Sequence, residues 1–368
     1  MKLFTNYTNF TSILLRVIMK KEVSLFFIFI LLCLAFLLAK CKSPVSNNNV
    51  NRGKVDTVDI FAYNQRLGAG INMGNALEAP QEGDWGVTIQ KEYFSIIKEA
   101  GFSNIRIPVR WSAHTAVDSP YTINSSFLNR VSWAVNMALS KELLPIINIH
   151  HFNELMENPG REKERFLSIW RQLSKHFEAY SLDLAFEILN EPHDNLTPQL
   201  WNQYLVEGLA VIRENNPERP VIIGTANWGG LSALSELTLP EDDNIIFTFH
   251  YYEPFHFTHQ GAEWVDGSSD WMGTTWRDNS DQVQEIVADF NRVENWAAQN
   301  EVPVFVGEFG AYSKADETSR MLWTKRVRIE AERRDFSFAY WEFCSGFGAY
   351  NDNSGEWRDY LLAALIGN

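Results

Sequence analysis

From Leu67 onward, short apolar runs alternate with longer stretches whose apolar positions recur at helical spacing. The runs are 67–72, 104–109, 144–151, 184–191, 220–224, 244–252, 302–310 and 337–343. Each is short and rich in Ile, Val and Phe, as strands covered on both faces of a parallel sheet must be. The helix-like stretches that follow them are 88–100, 126–141, 162–180, 198–215, 230–237, 281–300, 316–334 and 356–366. Ser125 or Ser126, and Thr197 ahead of Pro198, have the chemistry of helix starts. Eight strand-then-helix units over roughly 300 residues predict an α/β protein with a single (β/α)₈ TIM barrel. The main rival is a doubly wound sheet, which would carry a Gly-rich phosphate loop after its first strand. Here Gly68-Ala69-Gly70 falls inside the strand and Met73-Gly74-Asn75 follows it. No second domain and no internal repeat is visible, so residues 59–368 read as one barrel domain.

The chain before the barrel has a different pattern. Residues 23–39 are apolar except for Ser24, and Lys20 and Lys21 precede them. A basic flank ahead of an apolar run reads as a secretory signal, and Met19 opens such a signal better than Met1. The run closes on Leu38-Ala39-Lys40-Cys41, which resembles a lipoprotein processing site with Lys40 where a small residue belongs. An uncleaved anchor is the alternative, since the run is at the short limit for a membrane span. Residues 1–41 are therefore expected to be a signal or lipoprotein-like leader and 42–58 a polar linker. Each reading puts the barrel outside the cytoplasm, secreted or held at the bacterial envelope by the N-terminal segment or a lipid on Cys41. With Cys33 and Cys41 in the leader, Cys344 stands alone in the barrel, so neither a disulfide nor a cysteine metal site is expected.

Polar residues gather at one set of strand ends. In a TIM barrel the active site lies at the C-terminal ends. There the sequence places Asn72 leading to Asn75 and Glu78, Arg106, His150-His151, Asn190-Glu191-Pro192-His193, His250-Tyr251-Tyr252, Glu308 and Trp341-Glu342. The opposite ends, such as Leu143-Leu144, carry no such set. Glu191 and Glu308 close runs too apolar to be surface loops, and a buried carboxylate is costly unless paired or used. Two carboxylates facing each other across the barrel mouth at about 5–5.5 Å can serve as acid/base and nucleophile in a retaining glycosidase. Negative charge nearby is expected to hold the acid's pKa up. Arg106 can keep the nucleophile ionised, Asn190 can bind a sugar hydroxyl, and His250 and Tyr252, on one strand face, can orient the carboxylates. Trp341 offers a flat face to a sugar ring. The adjacent His150 and His151 also suit a metallohydrolase, but side chains of neighbouring strand residues point to opposite faces. No metal or other cofactor is expected.

Composition narrows the partners. The formal charge of −14 leaves no basic face for nucleic acid. Aromatic content of 14%, with 13 Trp, suits a sugar cleft as well as a core. A barrel that binds polysaccharide without cleaving it remains an alternative, as does transglycosylation in place of hydrolysis.

Longer segments carry a resemblance. Residues 70–80 (Gly70-Ile71-Asn72-Met73-Gly74-Asn75-Ala76-Leu77-Glu78-Ala79-Pro80), 147–151, 187–193, 257–264 and 339–348 are similar to glycoside hydrolase family 5, clan A, and most of all to thermophilic bacterial endo-β-1,4-glucanases with added mannanase activity. The resemblance runs from about residue 60 to the C-terminus. It implies Glu191 as acid/base and Glu308 as nucleophile, with Arg106, His150, Asn190, His250, Tyr252 and Trp341 around the cleaved bond. It further implies Asn75, Glu78, His151, His259 and Trp264 as substrate contacts. The expected substrate is a β-1,4-linked glucan or mannan, cut internally by a monomeric enzyme.

Overall fold

The structure, a computed structural model, describes residues 58–367; the leader and residues 42–57 of the linker lie outside the described residues. Eight parallel strands close into a barrel in sequence order. They are β1 (Ala69–Asn72), β2 (Asn104–Ile107), β3 (Leu144–Asn148), β4 (Ala185–Glu187), β5 (Val221–Gly224), β6 (Ile245–Tyr251), β7 (Val304–Phe309) and β8 (Ser337–Tyr340). β8 pairs back onto β1, with Gly70 opposite Ala339. The strands are shorter than the apolar runs because the chain leaves the ladder while its side chains remain buried. The region after β4 shows this best: residues 188–190 are still buried although pairing ends at Glu187.

Helices wrap the outside. Thr197 caps Pro198–Arg213 through its side chain, as its position before Pro198 predicts. The helix Ser125–Ser140 is capped instead by Asn124, whose side chain accepts from the Phe127 amide. After β5 the expected helix over 230–237 is a 3₁₀ segment, Leu231–Glu236.

A helix that the periodicity does not mark, Ile60–Leu67, precedes β1. Its Ile60, Tyr63 and Leu67 pack with Leu144, Ile146, Ala185, Ile222, Ile246, Phe305 and Ala339. These strand residues fill the barrel interior near its N-terminal end, so the helix closes that end of the core. Asn64 fixes it in place by donating to the Val304 carbonyl at 3.0 Å and accepting from Ser337 Oγ at 2.7 Å. The bottom is sealed largely by apolar side chains, and the buried charged groups Arg106, Glu187 and Glu308 belong to the opposite mouth. Among the described residues no helix is long and apolar enough to cross a membrane.

Candidate active site

Arg106 on β2 is fully buried at the centre of the mouth, and all five of its N–H donors find acceptors. Nε and Nη2 hold the Glu187 carboxylate two-pronged at 2.6 and 2.7 Å. Nη2 also donates to Asn190 Oδ1 at 2.7 Å. Nη1 donates to Glu308 Oε1 at 2.6 Å and to Asn72 Oδ1 at 2.9 Å. Burial works against the guanidinium's charge, but Glu187 and Glu308 outweigh it and raise the pKa. Removing Arg106 would cost about 3–5 kcal/mol, because it leaves Glu187 and Glu308 uncompensated in the core.

Strict alternation along β7 would turn Glu308 outward with Val306. The β6–β7 register shifts between Phe249 and His250, so that Val306 faces Phe249 but Glu308 faces His250. A bulge of this kind re-aims a side chain. Here Gly307 is the residue passed over, and a Cβ on it would stand 2.7 Å from Thr248 Oγ1 and 3.1 Å from His250 Nε2. The re-aimed Glu308 accepts from Arg106 and, on Oε2, from the Tyr252 hydroxyl at 2.9 Å.

Glu191 lies beyond β4 on the loop leaving it, at φ 44°. Asn75, His151 and Trp228, on the loops leaving β1, β3 and β5, also hold positive φ. Strained backbone therefore collects around the mouth, as it does where function fixes side-chain direction. Glu191 Oε1 lies 2.7 Å from His250 Nδ1, and the same nitrogen is 3.5 Å from Glu308 Oε2. Glu191, His250 and Glu308 each present one atom within 4.8 Å of the others. That trio has the spacing of metal ligands, but the Arg106 guanidinium already supplies Glu308 with a cation at 2.6 Å.

The electrostatics differ from expectation in one respect. Glu191 does not sit high. Burial pushes its carboxyl up, but the His250 hydrogen bond and charge pull it below its ordinary value. Burial raises Glu308, and Glu191 adds to this against His250 and Arg106. His250 is raised because Glu308 and Glu191 outweigh its burial. The His250–Glu191 hydrogen bond thus favours an ionised Glu191 beside a charged His250, while Glu308, with two donors of its own, is the carboxylate pushed up.

The remaining residues named from the sequence divide. His150 is buried, accepts on Nδ1 from Asn148 Nδ2 at 3.1 Å, and lies parallel to Trp341 with ring centres 5.9 Å apart. His151 has left the strand, so the opposite-faces argument against a histidine pair does not apply; its ring meets His150 edge-on at 4.4 Å and Trp85 at 5.4 Å. His259 stacks on Phe255 at 4.1 Å and meets Tyr252 edge-on. Burial lowers His259 to about 4, so it is neutral at working pH. Trp264 is exposed and leans on Tyr312 and Phe347. Asn75 Nδ2 donates to Ser345 Oγ at 2.9 Å, tying the β1 loop to the β8 loop. Glu78 does not face the cleft. It is fully buried and accepts from the Asn75 and Ala76 amides of its own loop.

Sequence reasoning does not single out Asn72 as an Arg106 acceptor, nor Asn148, Glu187 or Trp228. Glu187 had a signal: it is the one charged residue in an otherwise apolar strand core, in phase with the inward Ala185. Trp228 is exposed and stacks on His193 at 3.5 Å, and His193 Nδ1 donates to the Glu191 carbonyl at 2.6 Å. A cavity of about 360 Å³ opens there, lined by His151, Asn190, Glu191, His193 and Trp228 among others.

Two more buried carboxyls predict how stability depends on pH. Burial pushes Glu78 up to about 8 and Glu342 up to about 7, against their backbone hydrogen bonds. In the unfolded chain both ionise near 4.5. At these two groups the unfolded state sheds protons between about 4.5 and 8 that the folded state keeps, a contribution that falls as pH rises. Below about 6.5 it is opposed by the buried His150, His151 and His259, whose lowered pKa values make the unfolded chain take up protons there. Calorimetry is expected to give a higher thermal midpoint at pH 7 than at pH 8, a range in which the histidines no longer titrate. The reverse order means that both groups ionise freely in the fold.

Comparison with known proteins fits this geometry. The family model described as Cellulase (glycosyl hydrolase family 5) matches residues 65–346. Endoglucanase H of Acetivibrio thermocellus is 39% identical over 315 residues, covering 84% of this chain and 34% of the relative. Cellulase/esterase CelE of the same organism is 31% identical over 332 residues, covering 84% and 39%. The chain thus spans little more than a third of the length of either. Cel5A of Thermotoga maritima, solved with mannotriose and with cellobiose, is 53% identical with a TM-score of 0.83, covering 84% of this chain and all of that one. A broad-specificity endoglucanase from Clostridium acetobutylicum is 25% identical with a TM-score of 0.75, covering 84% and 99%.

Proposed function

The chain belongs to glycosyl hydrolase family 5, and on that premise we propose that it is a retaining endo-β-1,4-glucanase with Glu308 as nucleophile and Glu191 as acid/base. The observation that carries this reading is the unequal environment of two carboxylates less than 4.8 Å apart at their nearest oxygens. Glu308 is held by Arg106 and Tyr252, while the Glu191 carboxylate meets, among the described residues, the His250 ring alone. A spacing this short leaves no room for a water between the carboxylate and the sugar, which favours double displacement over inversion.

In the first step Glu308 attacks the anomeric carbon. The proton on the His250–Glu191 hydrogen bond passes through Glu191 to the departing glycosidic oxygen. A glycosyl ester on Glu308 forms, and the leaving chain carries away the proton. In the second step ionised Glu191 takes a proton from water as its oxygen attacks the same carbon, and Glu308 is released as carboxylate. Burial and the Glu191 charge keep Glu308 a stronger base than a free carboxylate, which favours attack. Asn190, held by Arg106, is oriented to meet a sugar hydroxyl. Trp341, Trp228, Trp85 and Trp264 offer flat faces on separate loops around the carboxylates, which suits a chain bound across several rings and cut internally.

The substrates proposed are cellulose-type and mixed-linkage β-glucans and glucomannan. Mannan cleavage is added on the likeness to Cel5A, which was solved with both cellobiose and mannotriose. The leader reading completes the proposal, with the barrel secreted or lipid-anchored at the envelope. The test is reducing-sugar release from carboxymethylcellulose, mixed-linkage β-glucan, glucomannan and galactomannan, with EDTA present throughout. Release from the glucans supports the reading. Release only from galactomannan replaces glucanase by mannanase, and no release from any of the four sinks it.

A further inference from the structure

We propose that Glu187 is a positioning residue that sets, through Arg106, how much positive charge the Glu308 carboxylate receives. The inference deepens the reaction proposed above and rests on it.

One guanidinium is divided between two carboxylates. Arg106 cannot lose its proton, so it contributes one fixed charge. Its Nε and Nη2 edge faces Glu187, and only Nη1 reaches Glu308. Glu187 therefore takes the two-pronged contact, and the proposed nucleophile takes a single one. Two-pronged contacts are the stronger kind. The trio carries a net negative charge. If Arg106 faced Glu308 alone, the pair would be neutral and the carboxylate a weaker base and a weaker nucleophile.

Glu187 has no other task in view. It is 1% exposed, and among the described residues Arg106 is its only ion-pair partner. Its remaining neighbour, Asn148 Nδ2 at 3.5 Å, continues to His150 Nδ1 at 3.1 Å. Glu187 lies at the end of paired β4, below the loop that carries Glu191, and hydrogen-bonds to neither Glu191 nor Tyr252. The charged and titratable groups that face Glu308 are Arg106, His250, Glu191 and Tyr252. Of these, Glu187 hydrogen-bonds to Arg106 alone, so its contact with that field runs through the guanidinium.

A clamp that merely holds Arg106 in place predicts lower activity with an unchanged pH profile. A charge divider predicts a shifted profile. Removing the Glu187 charge leaves Arg106 undivided for Glu308, stabilises the ionised nucleophile and moves the acid limb to lower pH. The experiment is the pH dependence of kcat/KM on one soluble β-glucan for wild type, Glu187→Gln and Glu187→Asp. For Glu187→Gln the acid limb is expected to fall by about one pH unit. Its kcat is expected to fall roughly tenfold or more, with KM changed by less than about threefold. Glu187→Asp retains the charge and is expected to keep the wild-type limb even where its thermal midpoint drops.

The Gln amide sets a donor against the guanidinium, so Glu187→Met, which removes the charge without that donor, covers the case in which Glu187→Gln does not fold. An acid limb unmoved in a folded neutral variant overturns the proposal and leaves Glu187 as a structural clamp. A wild-type chain with no hydrolysis is a different result: it sinks the glycosidase reading itself.

Discussion

Replacing Glu308 by Gln is expected to lower kcat on β-glucan by on the order of 10⁴-fold or more while the barrel stays folded. The size follows from the step that is lost. An amide cannot form the glycosyl ester, and the alternative, direct attack by water, has no room between the carboxylate and the sugar. Stability is expected to move the other way. Glu308 is buried beside a second carboxylate, and Gln can still accept from Arg106 Nη1 through its oxygen. The unfavourable Glu191–Glu308 charge pair disappears, so the thermal midpoint is not expected to fall. Calorimetry beside the activity assay checks both halves. A variant that loses activity only because it unfolds removes the support for a nucleophile at this position.

Replacing Glu191 by Ala separates the two steps. Loss of general acid and base assistance is expected to reduce polysaccharide hydrolysis by about 10²–10⁴-fold. An aryl β-glycoside with a good leaving group needs little proton donation, so its first step survives and the glycosyl enzyme accumulates. Azide, a small anion that needs no deprotonation, should then restore turnover and yield a β-glycosyl azide. Azide rescue of Glu308→Gln should not give that product, because no α-linked glycosyl ester exists to be attacked from the β face. His250 loses its hydrogen-bond partner in Glu191→Ala but keeps the Glu308 contact at 3.5 Å, so its elevated pKa should fall. Failure of azide to accelerate the Ala variant on the aryl substrate assigns the acid/base role elsewhere.

The barrel was legible because each of its eight strands is a run of Ile, Val and Phe long enough to stand out between amphipathic stretches. Strand ends were less so. At Glu187 the ladder stops while Ile188, Leu189 and Asn190 stay buried, and apolar character alone cannot tell pairing from burial. The helix Ile60–Leu67 was invisible because its role, closing the barrel bottom, exists only once the strands have closed. In the site, inward alternation finds Arg106, His250 and Tyr252 correctly. It misplaces Glu308, whose direction depends on the register shift beside His250; that residue stands out instead as the carboxylate near the end of the apolar run 302–310. Glu187 and Arg106 are far apart in sequence, so a bidentate pair between them leaves no local trace. The low Glu191 pKa was missed for the same reason: proximity to Glu308 argues upward, and the proton-bearing ring at 2.7 Å that reverses it comes from another strand.

The central claim is that a short carboxylate pair, with Glu308 held by Arg106 and Glu191 by His250, performs double displacement. Proton NMR of the products in the first minutes of cello-oligosaccharide hydrolysis, before the anomers equilibrate, tests it most directly. Double displacement predicts that the new reducing end appears first as the β anomer. Initial formation of the α anomer contradicts it, since that outcome requires a water to fit where the structure brings two carboxylates within 4.8 Å.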